Sequence, residues 1–156
     1  MPKTKLQNII FTLIMAFVMV YAMVCYNIAL DKGGMTNEIF LLAFHEIPIM
    51  WPIACILEYF VVEKLSRKLA FRMVSPEDKP IFITLAISSM IVCLMCPVMS
   101  FIATCLFMHP GNQIIALWLQ KTVQNFPMAL CWQIFLAGPG VRNAFGFVVG
   151  KLNRQK

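Results

Sequence analysis

Charge is what this chain has least of. Only 13% of its 156 residues are Asp, Glu, Lys or Arg, against about 25% in a typical soluble domain. Apolar residues make up 60%, and the mean hydropathy is +0.78. So few charges cannot cover a water-facing surface, which excludes a soluble enzyme. Thirteen Phe and 12 Met exclude a disordered chain. Acid is scarcer than base, 7 against 13, and the net charge is +6. That balance does not signal a nucleic-acid binder, because the basic residues sit at the ends of apolar runs, as they do beside membrane spans. Histidine is nearly absent, and His45 and His109 lie far apart. There is no nucleophile–base pair and no glycine-rich phosphate loop, so neither an enzyme activity nor a cofactor is expected. Cys93 and Cys96 form a C-x-x-C without a second pair or a His cluster, so no metal site is expected either. The six cysteines all lie inside apolar runs and read as packing residues.

What the sequence has is long apolar runs. Leu6 to Leu30 carries no charge. At ~1.5 Å per residue it reaches ~37 Å, enough to cross a ~30 Å hydrocarbon core with some tilt. It is too long for a signal-peptide core of roughly 7–15 residues, and more runs follow. The polar turn Asp31 to Asn37 leads to a second run, Ile39 to about Val62, broken by His45, Glu46 and Glu58. Glu63 to Pro80 is the longest polar stretch. A third run covers Ile81 to Met108. The turn His109 to Asn112 precedes a fourth run, Gln113 to about Ala137, which Gly138–Pro139–Gly140 should break. Runs of this length exclude membrane strands of roughly 9–11 residues, and lipid tolerates only helices or closed barrels.

Eleven of the 13 Lys and Arg lie at the N-terminus, in the central polar stretch or in the tail; the two short turns carry only Lys32. That asymmetry places both termini and the central loop in the cytoplasm. Leu65 to Val74 and Val141 to Leu152 read as short amphipathic cytoplasmic helices. Leu65, Leu69 and Met73 lie in one row of the first; Val141, Phe145, Val148 and Leu152 lie near one face of the second.

The two halves match at an offset of 75. Residues 37–74 laid over 112–149 share eight identities in 38 columns, anchored on Asn37/Asn112, Pro52/Pro127, Ala54/Ala129, Phe60/Phe135 and Arg67/Arg142. Each repeat holds two spans, so both enter from the cytoplasm and are related by a pseudo-two-fold along the membrane normal. The expected fold is all-α, a four-helix transmembrane bundle of two parallel helical hairpins, residues 1–74 and 75–156.

Ionisable groups inside spans mark function or pairing. His45 and Glu46 in the second run overlie Gln120 and Lys121 in the fourth, at similar depth. The alignment predicts an ion pair between Glu46 and Lys121 across the axis. With Gln124 and Asn125 these six residues form the candidate intramembrane polar site. The alternative is a satisfied hydrogen-bond network that packs helices or joins two copies. Glu58 can snorkel or pair with Lys64 or Arg67, which reads as a structural role. Asn27, Ser100 and Thr104 read as helix–helix hydrogen bonders, and the methionines as packing.

The N-I-A-L of Asn27–Leu30 before a Gly-rich turn, the W-P-x-A and F-P-x-A at Trp51–Ala54 and Phe126–Ala129, the C-P-x-M-S at Cys96–Ser100 and the run from Asn125 to Phe135 resemble a bacterial membrane family catalogued as domain of unknown function 2798. Members carry the repeat twice. The resemblance implies four spans in a bacterial cytoplasmic (inner) membrane and implies no activity. Two functions compete. One is a proton-coupled small-molecule transporter, working as a homodimer, with its substrate unassigned. The other is a non-transporting membrane protein that binds protein partners or lipids through its basic cytoplasmic segments.

Overall fold

The computed structural model describes residues 5–108 and 111–154, with side chains over 6–108 and 111–147. The described residues are helical, with short turns and no strand. They form four long rods. Helix α1 is Lys5–Lys32. The second rod joins α2 (Asn37–Leu57), a π-helical segment (Glu58–Val62) and α3 (Glu63–Ala70) without a break. Helix α4 is Pro80–Phe107. The fourth rod joins α5 (Ile114–Cys131), a second π-helical segment (Trp132–Ala137) and α6 (Gly138–Arg154). Three helices are long and apolar enough to cross a membrane: Leu6–Lys32, Asn37–Ala70 and Pro80–Phe107. The fourth rod has its apolar run interrupted by the polar residues between Gln120 and Asn125.

Local chemistry explains the ends. Helix α1 stops at Gly33, whose φ of 78° only glycine adopts freely. The N–H of Gly33 bonds to the Leu30 carbonyl at 3.3 Å and that of Gly34 to the Ala29 carbonyl at 2.9 Å, the paired closure of a Schellman cap. Pro80 opens α4, where a missing N–H leaves no bond unmade. The turn residues His109 and Pro110 lie outside the described residues, as do the side chains of Val148 and Leu152.

Each hairpin packs on itself, α1 on α2 and α4 on α5, and the hairpins cross at their far ends, with α3 against α4 and α6 against α1. The repeat is visible in the backbone. Helices α1 and α4 end 75 positions apart, at Lys32 and Phe107. The π segments end at Val62 and Ala137, also 75 apart. The main core joins Val20, Val24 and Cys25 of α1 to Ile39, Ala43, Ile47, Met50 and Ala54 of α2. Large apolar side chains face outward along the rods, Leu41, Phe60, Ile81, Val123 and Phe135 among them.

Three local expectations are corrected. Gly138–Pro139–Gly140 does not break the fourth rod. It falls where the π segment returns to α geometry: the Gly138 N–H bonds five residues back to the Gln133 carbonyl. Pro139 then sits in the first turn of the following helix, where a missing donor is tolerated. The backbone is so close at that turn that a Cβ on Gly138 would lie 2.6 Å from the Gln133 carbonyl oxygen. Next, Leu65–Val74 is not a separate amphipathic helix. Residues 63–70 continue the second rod, and 71–74 form a turn. Their buried face is Val62, Ser66 and Ala70, small side chains that let α3 approach α4 closely, while Leu65 and Met73 are exposed. Likewise α6 continues the fourth rod, with Val141 buried and Phe145 edge-on to Phe11 at 5.5 Å.

Candidate functional site

A cavity of about 110 Å³ lies in the middle of the bundle. Helices α1 and α4 contribute Ala16, Val20 and Val24 on one side and Ile91, Met95 and Met99 on the other. These are three pairs of repeat-equivalent positions, each 75 apart. The second and fourth rods contribute three more, Met50/Asn125, Ala54/Ala129 and Glu58/Gln133. Six matched pairs around one space place it on the pseudo-two-fold axis. Its wall is apolar and rich in methionine. Six of the chain's 12 methionines line it, and unbranched thioethers adapt to many shapes.

A smaller cavity of about 40 Å³ adjoins it toward the turn that joins α1 to α2. It is lined by Asp31, Glu46 and Lys121, and shares Asn27, Ser100, Ala103 and Asn125 with the larger one. The two spaces are therefore stacked along the axis, charged at one end and apolar in the middle, with small polar side chains between. Asn125 holds that partition. Its amide nitrogen donates to the Ser100 hydroxyl at 3.2 Å, while its side-chain oxygen is buried without a partner. At the opposite end of the large cavity the Gln133 side-chain oxygen is also buried and unpartnered. A buried polar atom without a partner costs about 1–3 kcal/mol, and of the four such atoms among the described residues two belong to residues that line this space, the others being on Thr122 and Trp132.

The structure divides the six residues singled out from the sequence. Glu46, Lys121 and Asn125 come together on the small cavity. His45, Gln120 and Gln124 are exposed on the outer faces of α2 and α5. Lys121 takes a different partner from the one the repeat alignment named: its Nζ lies 2.6 Å from the Asp31 carboxylate, and Glu46 lines the same cavity without forming that bridge. The reason is placement. Helix α2 packs on α1 and α4, and α5 on α4 and α1, so the end of α1 stands beside Lys121. A lysine stem can follow the apolar wall outward to an acid whose side chain is 55% exposed, whereas a pair closed at depth would strip water from both charges.

Glu58 was missed. Arg67, one of its two expected partners, bonds Glu63 at 2.8 Å, and Asn8 reaches the same Glu63 oxygen at 3.2 Å. Glu58 instead lines the large cavity beside Gln133. The aligned Glu58/Gln133 pair was the signal available in the sequence. Two of the expected helix–helix hydrogen bonders close on their own helix: Asn27 donates to the Met23 carbonyl and Thr104 to the Ser100 carbonyl. Ser100 alone of the three bonds across, to Asn125. Among the described residues no group of His, Cys, Asp and Glu is placed to hold a metal.

The model of the family described as domain of unknown function (DUF2798) matches residues 4–74 and again 80–149. The chain belongs to the DUF2798 family. Two matches in tandem agree with the paired hairpins and paired π segments of this DUF2798 chain. It is 32% identical over 157 residues to the uncharacterized protein YybC of Bacillus subtilis (strain 168), an alignment covering 97% of this chain and 98% of that protein. No solved structure matches it.

Proposed function

We propose that this chain is a four-span protein of the bacterial cytoplasmic membrane, with both termini in the cytoplasm, that carries a small solute along the repeat axis in exchange for or together with protons. The observation that carries this reading is the pair of stacked cavities. A charged chamber and an apolar chamber share one polar partition and lie on the axis about which two hairpins can rock. Repeat interfaces are where solute sites of membrane carriers lie. Glu46 in the outer chamber and Glu58 in the inner one are the carboxyl groups able to take up protons along that path. The outward apolar side chains of all four rods supply the lipid-facing surface, and the fourth rod crosses with Asn125 and Gln133 buried. The partner in the membrane is the bilayer itself, with a second copy of the chain joined through the exposed Gln120 and Gln124.

The test is flux. Proteoliposomes holding a pH-sensitive dye and an imposed pH gradient are challenged with a panel of small cations, zwitterions and anions. A solute that moves protons faster than in protein-free liposomes, and ceases to do so in Glu46→Gln or Glu58→Gln protein, supports the reading. No protein-dependent flux with any solute refutes it.

A second reading rests on the exposed basic side chains Lys64, Arg67, Lys68 and Arg72 around the end of α3. Such a cluster at a cytoplasmic surface attracts anionic lipid headgroups. Binding to anionic but not neutral vesicles through this cluster, with no flux of any solute, would favour it.

A further inference from the structure

We infer that the inner chamber is a binding site for a small lipophilic monocation: an ammonium head seated between Glu58 and Gln133, with an apolar body the size of one ring held among the methionines. The chain's own chemistry argues for each part. Glu58 is the one acidic side chain lining the cavity, and no Lys, Arg or His lines it. Among the described residues the two salt bridges are Arg67–Glu63 and Lys121–Asp31, so Glu58 has no cationic partner. Gln133 is 3% exposed, and its side-chain oxygen is unpartnered. Both groups occupy the same place in their repeats and so face the axis at the same end of the cavity. Glu58 offers acceptor oxygens, and the Gln133 amide can turn its unpartnered oxygen to a donor. An anion is repelled there, and a neutral hydrocarbon leaves the oxygens unmatched. A charged N–H donor satisfies both.

The body of the ligand follows from the wall. A volume of about 110 Å³ is somewhat below the ~150 Å³ of an apolar cavity that holds one benzene molecule. Thioether chains of Met15, Met19, Met23, Met50, Met95 and Met99 give such a body a wall that deforms to fit. A bare alkali cation fits poorly. It needs several oxygens converging on one point, and Asn125 is two helical turns, ~12 Å, from Gln133.

The inference draws its physiological meaning from the transport reading, but its test needs no gradient. Full-length protein in detergent is titrated with benzylammonium, and with benzyl alcohol, benzoate and sodium as comparisons, by calorimetry and thermal shift. Saturable binding of benzylammonium is expected, with the other three weaker by about tenfold or more. Glu58→Gln should weaken benzylammonium by a similar factor while melting like the parent protein. Because the two positions are symmetry-related, the double variant Glu58→Gln with Gln133→Glu should restore binding, which a merely destabilised protein would not. Equal binding of benzyl alcohol or benzoate, or undiminished affinity in Glu58→Gln, overturns the inference. Binding that depends on Glu58 without any flux of benzylammonium in proteoliposomes keeps the site and removes the transporter.

Discussion

The Lys121–Asp31 bridge makes a prediction that separates geometry from alignment. Asp31→Asn takes away the acid 2.6 Å from the Lys121 ammonium. Lysine's side chain is 12% exposed and aspartate's 55%, so the pair is neither fully buried nor at the surface. Exposed pairs contribute about 0–1 kcal/mol, and removing one partner of a buried pair costs about 3–5 kcal/mol. A pair with one sheltered member falls between, at about 2 kcal/mol. The effect should be unequal. Asp31→Asn strands the sheltered cation, whereas Lys121→Met leaves Asp31 with water to hydrate it, so the first should cost more. Glu46→Gln, which breaks no bridge, should cost least. Removing both partners, Asp31→Asn with Lys121→Met, should recover most of the loss. Melting curves in mild detergent read the series; about 2 kcal/mol corresponds to a drop of roughly 4–8 °C in a domain of this size. If Glu46→Gln is the most damaging single change, or if the double variant loses the sum of the two singles, Lys121 is paired otherwise and the outer chamber is assembled differently.

Other outcomes follow from the same architecture. On a background without native cysteines, Gly34→Cys should react with an impermeant thiol reagent in intact cells and Pro76→Cys only after permeabilisation; the reverse pattern would invert the topology. Gly138→Ala places a methyl group where the Gln133 carbonyl oxygen stands, and should destabilise by about 1–3 kcal/mol in thermal melts, whereas Gly140→Ala, with open space around it, should be nearly neutral. Gln120→Leu with Gln124→Leu should shift native mass spectra from dimer to monomer, and monomer alone from the parent protein would dispose of the second copy.

Much of this structure was legible before any coordinates. Apolar runs of membrane-crossing length gave the first three rods, and the offset of 75 reappeared in the ends of α1 and α4 and of the two π segments. The fourth rod was harder. Its length was plain, but Gly138–Pro139–Gly140 suggested a stop. A π turn has no compositional signature that would have shown how those residues are absorbed. The polar site was half legible. Periodicity shows that His45 and Glu46, or Gln120 and Lys121, leave a helix about 100° apart, but not which of them faces the axis. That depends on how each hairpin is rotated against the other. Asp31 escaped attention because the sequence reads it as part of a polar turn, where acids are ordinary; its role appears only when the end of α1 is seen beside Lys121. Glu58 escaped for the opposite reason, since an acid near a helix end beside Lys64 and Arg67 has an easy surface explanation.

The axial cavity has a consequence for how such a protein acquires its chemistry. Two separate hairpins of one sequence, paired about a two-fold axis, must place the same side chain on both sides of it. Two identical carboxylates facing each other repel, and one lysine cannot appear without its twin. Joining the hairpins in one chain lifts that constraint. Each position near the axis can then vary alone: glutamate opposite glutamine at 58 and 133, methionine opposite asparagine at 50 and 125, glutamate and lysine at 46 and 121. The backbone keeps its symmetry, π turns included, while the two sides of the axis become chemically different. A wall with a carboxylate on one side of the axis and an amide on the other is available to the fused chain and closed to a pair of identical halves.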